Sequence, residues 1–165
     1  MQTHITRALH DDHLAALTLI ERLDTLLGRH HPDYAPAAAT PAVAALLRDC
    51  DHAIALEIGP HFDFEEAELF PRLNAAGAAA MVALLTEEHA HIRPLAQTLT
   101  ALTRQGQSRG FTAALWRDFR ATGADFSGQL AAHIAKEEMG MLPALDDILD
   151  IETDAELALI FASRR

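Results

Sequence analysis

The chain has 165 residues, half of them hydrophobic but only 5% aromatic, with 13 basic against 24 acidic side chains and a net charge of −11. That length fits one domain, and that apolar content argues against a long disordered chain. The acidic balance argues against nucleic acid or an anionic membrane surface as the main partner, because both require a positive face. No apolar run of about 20 residues is available to span a bilayer, and Met1-Gln2-Thr3-His4 lacks a basic-then-apolar leader, so a cytoplasmic protein is expected. The lone Cys50 rules out an internal disulfide or a thiolate cluster. Ala and Leu dominate, which favours helix over strand. Ten histidines are the compositional anomaly.

The first predicted helix is capped by Thr3 and runs to about Leu27, with Gly28 as its stop. A Pro-, Ala- and His-rich connector, Arg29 to Thr40, follows. Thr40-Pro41 reads as cap and first helical residue of a second helix that runs to about Leu69, kinked at Gly59-Pro60. After a turn at Asn74 to Gly77, a third helix covers about Ala78 to Thr103, with Pro94 as a bend. Gln105 to Gly110 reads as a polar loop. A fourth helix covers about Phe111 to Gly140 and ends at Pro143. Thr153 with Glu156 has the spacing of a capping box for a short last helix. The expected fold is all-α: an antiparallel, up-down-up-down four-helix bundle over about residues 4–145, with an extension over 146–165, in a single domain.

The chain repeats itself. The run from His61 through Glu65, Glu66 and Pro71 to Leu73 aligns without gaps on the run from His133 through Glu137, Glu138 and Pro143 to Leu145. Asp12-His13 is echoed by Glu88-His89. Each half therefore reads as a helical hairpin, with acid-His on its first helix and His-x-x-x-Glu-Glu on its second. Two such hairpins pack with a pseudo-twofold relation.

Helical periodicity puts one histidine of each long helix on the apolar face: His13, His61, His89 and His133. Glu65 and Glu137 follow their histidines by one turn on the same face. One inward histidine is ordinary. Four imidazoles and two carboxylates in a bundle core cost on the order of several kcal/mol for each unpaired charge, unless something neutralises them. A Glu–His⁺ network would offset part of that cost, and metal ions would offset it more directly. Imidazole and carboxylate accept Fe, Zn and other divalent ions. Two ions fit the charge and the width of the bundle better than one, with Glu65 and Glu137 placed to bridge them.

The residues Leu9-x-x-Asp12-His13, His61-Phe-Asp-Phe-Glu65-Glu66, Glu88-His89 and His133-Ile-Ala-Lys-Glu137-Glu138 resemble the hemerythrin-like family, the HHE cation-binding domain, over about residues 5–145. The resemblance implies a four-helix bundle around a non-heme di-iron centre. His13, His61, His89 and His133 would be terminal ligands, and Glu65 and Glu137 the bridges. Its ligand would be O₂, NO or peroxide, bound or sensed, or the protein would handle iron. The oxygen carriers of that family have a second histidine one turn along the third helix, where this chain has Leu85 before and Arg93 after His89. They also place their last carboxylate five residues after the histidine, which is Glu138 here. Two other functions stay open: a di-iron enzyme that decomposes peroxide or reduces NO, and a zinc-containing structural or interaction protein.

Other polar residues rank lower. His10 lies one turn before His13 and is a further ligand, a supporting partner or an edge residue. Glu66 and Glu138, about 100° from their neighbours on an ideal helix, read as supporting or surface acids. Asp12 and Glu88 read as interface or surface residues, as does His91. The acidic stretch from Asp146 to Glu156 reads as a solvated face or a contact in a homodimer.

Overall fold

The computed structural model describes residues 2–54 and 58–164. Its elements are α1 (His4–Arg29), α2 (Pro41–Ala53), α3 (Gly59–Phe64), α4 (Phe70–Ala75), α5 (Ala79–Arg109), α6 (Ala113–Lys136), α7 (Leu142–Ile148) and α8 (Ile151–Ser163). Two π-helical turns, Glu65–Leu69 and Glu137–Met141, join α3 to α4 and α6 to α7. The molecule is an all-α bundle whose core helices are α1, α2, α5 and α6. Each of these packs on two neighbours, so that α1, α2, α5 and α6 close a ring. No described helix is long and apolar enough to cross a membrane.

Several boundaries differ from the periodicity reading. The expected passage of the second helix through residues 55–57 lies outside the described residues. Beyond it, Gly59-Pro60 opens α3, with proline in the first turn where its missing N–H costs least. The third helix does not stop near Thr103 but continues through the supposed loop to Arg109. The reason lies at Gly106, where a Cβ would come 2.5 Å from the Phe111 ring, so this glycine serves close packing rather than a turn. Gly110, at φ 75°, is the residue that ends the helix. Pro143 does not end the fourth helix either. It sits in the first turn of α7, directly after the π turn, and Pro71 occupies the matching place in α4.

The last helix is capped by Asp150, whose carboxylate accepts from the Thr153 N–H at 2.8 Å, and not by Thr153. The C-terminal segment also completes the start of α1. Asp154 Oδ2 and Oδ1 accept the N–H groups of His4 and Ile5, each at 2.9 Å. Asp146 accepts the Thr3 N–H at 2.8 Å and the Thr6 hydroxyl at 2.7 Å. Thr3 Oγ1 takes the Thr6 N–H, as its capping role requires. Two carboxylates thus lie at the positive end of the α1 dipole and satisfy its otherwise unpaired donors.

The core falls into two apolar clusters. One gathers Leu19, Leu23, Leu47, Phe62, Ile92, Trp116, Phe119 and Ile134, among others. The second gathers Ile5, Leu9, Phe64, Leu69, Leu85, Met141, Leu145 and Phe161, among others. The break between the clusters falls at the buried His and Glu residues: at His13 after Leu9 on α1, at His89 between Leu85 and Ile92 on α5, and at Glu137 between Ile134 and Met141 after α6. A polar layer therefore crosses an apolar bundle about a third of the way along its length.

Candidate metal centre

All six expected residues meet in that layer. His89, His133, Glu65 and Glu137 are fully buried, and His13 and His61 are 3% and 7% exposed. They form two groups that share both glutamates. His13 and His61 face Glu65 and Glu137 in one group, and His89 and His133 face the same pair in the other. Within each group the four donor atoms lie within 4.8 Å of one another. The first group takes its histidines from the first half of the chain, and the second group takes them from the second half.

Each glutamate reaches one histidine of each group. Glu65 Oε1 is 3.0 Å from His61 Nε2, and its Oε2 is 3.4 Å from His89 Nε2. Glu137 Oε1 is 3.0 Å from His133 Nε2, and its Oε2 is 3.1 Å from His13 Nε2. This is the arrangement a bridging carboxylate needs.

The outer nitrogen of each imidazole is held by a further carboxylate. His13 Nδ1 lies 2.6 Å from Glu138, His89 Nδ1 2.8 Å from Glu66, His133 Nδ1 2.9 Å from Glu88, and His61 Nδ1 3.3 Å from Asp12. An ionised carboxylate only accepts, so Nδ1–H donates in every case, and in the neutral ring, the form that binds a metal, the Nε2 lone pair faces the core. The pattern obeys the internal repeat. His13 and His89 each take a carboxylate from the opposite half, Glu138 and Glu66. His61 and His133 each take the acid that precedes the histidine of the partner helix, Asp12 and Glu88.

A π turn opens at each pair of adjacent glutamates, and the N–H groups of Phe70 and Leu142 donate back five residues, to the carbonyls of Glu65 and Glu137. Glu65 and Glu66 bracket the two nitrogens of His89, and Glu137 and Glu138 bracket those of His13. Glu66 and Glu138 are thus not bystanders rotated off the site. Asp12 and Glu88, read from sequence as interface or surface residues, are also part of it. The signal that marks them is their repetition immediately before His13 and His89. His10 serves Glu138, its Nδ1 3.0 Å from Oε2, and does not enter the core layer. His91 is exposed as expected.

The second group is packed more tightly. The His89 ring stacks on Phe62 at 3.8 Å between centroids and has Phe70 on it at 5.5 Å. Arg93 fixes Glu66, and Lys136 fixes Glu88. Beside the first group lies a cavity of about 30 Å³, walled by Ala16, Ala53, Ile58, Phe62, Leu130 and Ile134 and reaching Asp12, His13, His61 and Glu137.

Electrostatics confirm strong mutual dependence. Burial opposes the charged form of Glu65, yet His61 and His89 beside it hold its carboxyl far below the usual range. Burial opposes a charged His61 as well, but Glu65, and then Glu137, raise it. His133 is raised against its burial by Glu137 and Glu88. Despite partial burial, Glu66, Glu88 and Glu138 are all lowered by the imidazoles and cations they contact. Away from the layer, burial pushes the Cys50 thiol up to about 12, so it is no nucleophile.

The donor set fits a pair of metal ions. His13 Nε2, His61 Nε2 and all four carboxylate oxygens of Glu65 and Glu137 are buried without a hydrogen-bond partner. His89 Nε2 and His133 Nε2 face each other at 3.1 Å, with a carboxylate on the other nitrogen of each ring. Buried polar atoms are almost always paired, and six such atoms converging on one layer call for an electrophile. The two His/Glu clusters are suited to a dimetal centre. A family described as the hemerythrin HHE cation-binding domain matches residues 4–145. No curated protein matches the chain.

Proposed function

We propose, for a chain that belongs to the hemerythrin HHE cation-binding family, that the layer holds two iron ions and presents one of them to a small ligand. His13 and His61 would hold one ion and His89 and His133 the other, with Glu65 and Glu137 spanning both. The observation that carries this reading is the set of buried, partnerless Nε2 and carboxylate atoms. When bound, such a pair of irons supplies an open coordination position and electrons for a diatomic ligand or peroxide.

The protein's own residues supply the rest. The four outer carboxylates fix each imidazole tautomer and raise its basicity toward a metal. The wall from Ala16 to Ile134 gives the His13–His61 side a largely apolar surface. A single water needs about 10–15 Å³ of such space, so a cavity of about 30 Å³ matches the size of O₂, NO or peroxide. Binding or sensing of such a ligand is the function the geometry supports best.

The test is metal per chain after anaerobic iron loading and removal of excess. The wild type should hold two ions. Glu65→Ala and Glu137→Ala each remove a donor from both positions and should hold fewer than one. Wild-type saturation at one ion, or full loading of either variant, would contradict the reading.

A further inference from the structure

The two groups of the layer are walled by different parts of the chain. Around the second group the aromatic wall belongs to the bundle itself. Phe62 stacks on His89 at 3.8 Å and meets His133 edge-on at 5.3 Å, and Phe70 lies 5.5 Å from His89. The internal repeat puts Ile134 and Leu142 at the corresponding places of the first group. Both are aliphatic, and Ile134 borders the cavity. Phe62 comes to His61 only at 6.4 Å. Instead a ring reaches His61 from α8, which lies beyond the family match: Phe161 stands edge-on to it at 6.0 Å. Phe161 is buried and packs on Phe64 at 4.8 Å, where the repeat has Lys136 in the second half. The cavity is walled by residues of the first apolar cluster, and Phe161 belongs to the second. The two therefore approach His61 from opposite sides of the polar layer.

We infer that α8 is the closure of the first metal position, with Phe161 shielding His61 and fixing its ring, and that the ion on His13 and His61 is the more exchangeable of the two. This rests on the two-ion reading above. The apolar shell of a metal site controls solvent access and ligand orientation, so what covers an ion sets how readily it leaves. The cover of the second group cannot lift alone. Phe62 lies on α3 with His61, and Phe70 follows the π turn that opens at Glu65, so displacing those rings displaces ligands of both ions. The cover of the first group can. The ring of α1, α2, α5 and α6 closes without α8, which packs on α1 and follows α7 after only Leu149 and Asp150. Its ties are few and mostly at its ends. Asp154 takes the N–H groups of His4 and Ile5 at one end, and Arg164 lies over Phe64 and 3.1 Å from Glu68 at the other. The Arg164–Glu68 pair is partly open to solvent, where such a pair holds weakly. A terminal helix held in this way opens locally more often than the bundle unfolds.

Two readings on the full chain test this. In the metal-free chain, diethyl pyrocarbonate followed by mass spectrometry reports the accessibility of each imidazole. Phe161→Ala should raise the modification rate of His61 by about tenfold or more at unchanged helicity, with His89 and His133 at their wild-type rates. Phe161→Leu, which keeps apolar bulk, should fall between. Leu99→Ala, a truncation in the other apolar cluster, controls for lost stability and should leave His61 shielded. In the chain loaded anaerobically with iron(II), a chelator should withdraw one ion from Phe161→Ala at least about tenfold faster than from the wild type, and the other ion at an unchanged rate. An unchanged His61 rate in Phe161→Ala overturns the closure, as does an equal rise at all three histidines or the same rise in Leu99→Ala. Equal acceleration of both ions overturns the difference in exchange. A wild type that takes up fewer than two ions contradicts the two-ion reading instead, and the metal-free measurement still decides the closure.

Discussion

Single residues decide this site through the two ends of each imidazole. The inner end is legible in the sequence, because helical spacing alone puts His13, His61, His89, His133, Glu65 and Glu137 on core faces. The outer end is not. On a regular helix Glu66 and Glu138 lie about 100° from the inner glutamates, yet their side chains reach His89 and His13 from the neighbouring helices, and a π turn opens at each pair. Nothing in the hydrophobic pattern announces a π turn, although a proline six residues after each inner glutamate accompanies both. These acids set tautomer and orientation, and losing such a partner costs about 10–100-fold in metal affinity. Glu66→Ala and Glu138→Ala should therefore still take up two ions, but with affinity lower by about that factor in competition with a chelator. Glu87→Ala, an exposed acid on the same stretch of α5, should match the wild type. Equal affinities in all three would show that the outer carboxylates are passive.

Among the elements, the helices were readable and their ends less so. Thr3 and Thr40-Pro41 mark real starts, since a cap and a first-turn proline act locally. The end of α5 depends on Phe111 packing over Gly106, a tertiary contact that composition cannot show. The role of the last segment was likewise hidden, because Asp146 and Asp154 act more than 140 residues away in sequence, on the N-terminus of α1. Asp154→Ala should cost about 1–2 kcal/mol, the range for losing a helix cap. Asp154 is lowered from its ordinary value: burial works against its charge, but the N–H groups of His4 and Ile5 and the His4 ring outweigh that. A carboxyl lowered on folding adds stability above its unfolded value, near 3.9, and that stability is lost as pH falls through the folded value. The gap between wild type and Asp154→Ala, read from denaturant melts, should thus be full at neutral pH and close in strong acid. A gap that widened on acidification would contradict the capping role.

At the scale of the molecule, the duplication seen in the sequence becomes the logic of the centre. Each half contributes two histidines to its own group and one glutamate to both, so the His/Glu layer is also where the halves are joined. The symmetry then breaks. A cavity adjoins His13 and His61, while Phe62 and Phe70 pack on His89, and Arg93 and Lys136 clamp the acids behind His89 and His133. The sequence reading anticipated the symmetric part from the repeat, but the asymmetry arises from aromatic packing that the repeat does not share. The central claim is that two ions sit in this layer, one per group. Anomalous diffraction at the iron edge from iron-loaded crystals measures that directly. The account predicts two peaks about 3–4 Å apart, one flanked by His13 and His61, the other by His89 and His133, with Glu65 and Glu137 reaching both. A single peak, or two peaks held by the histidines of one half alone, would contradict it.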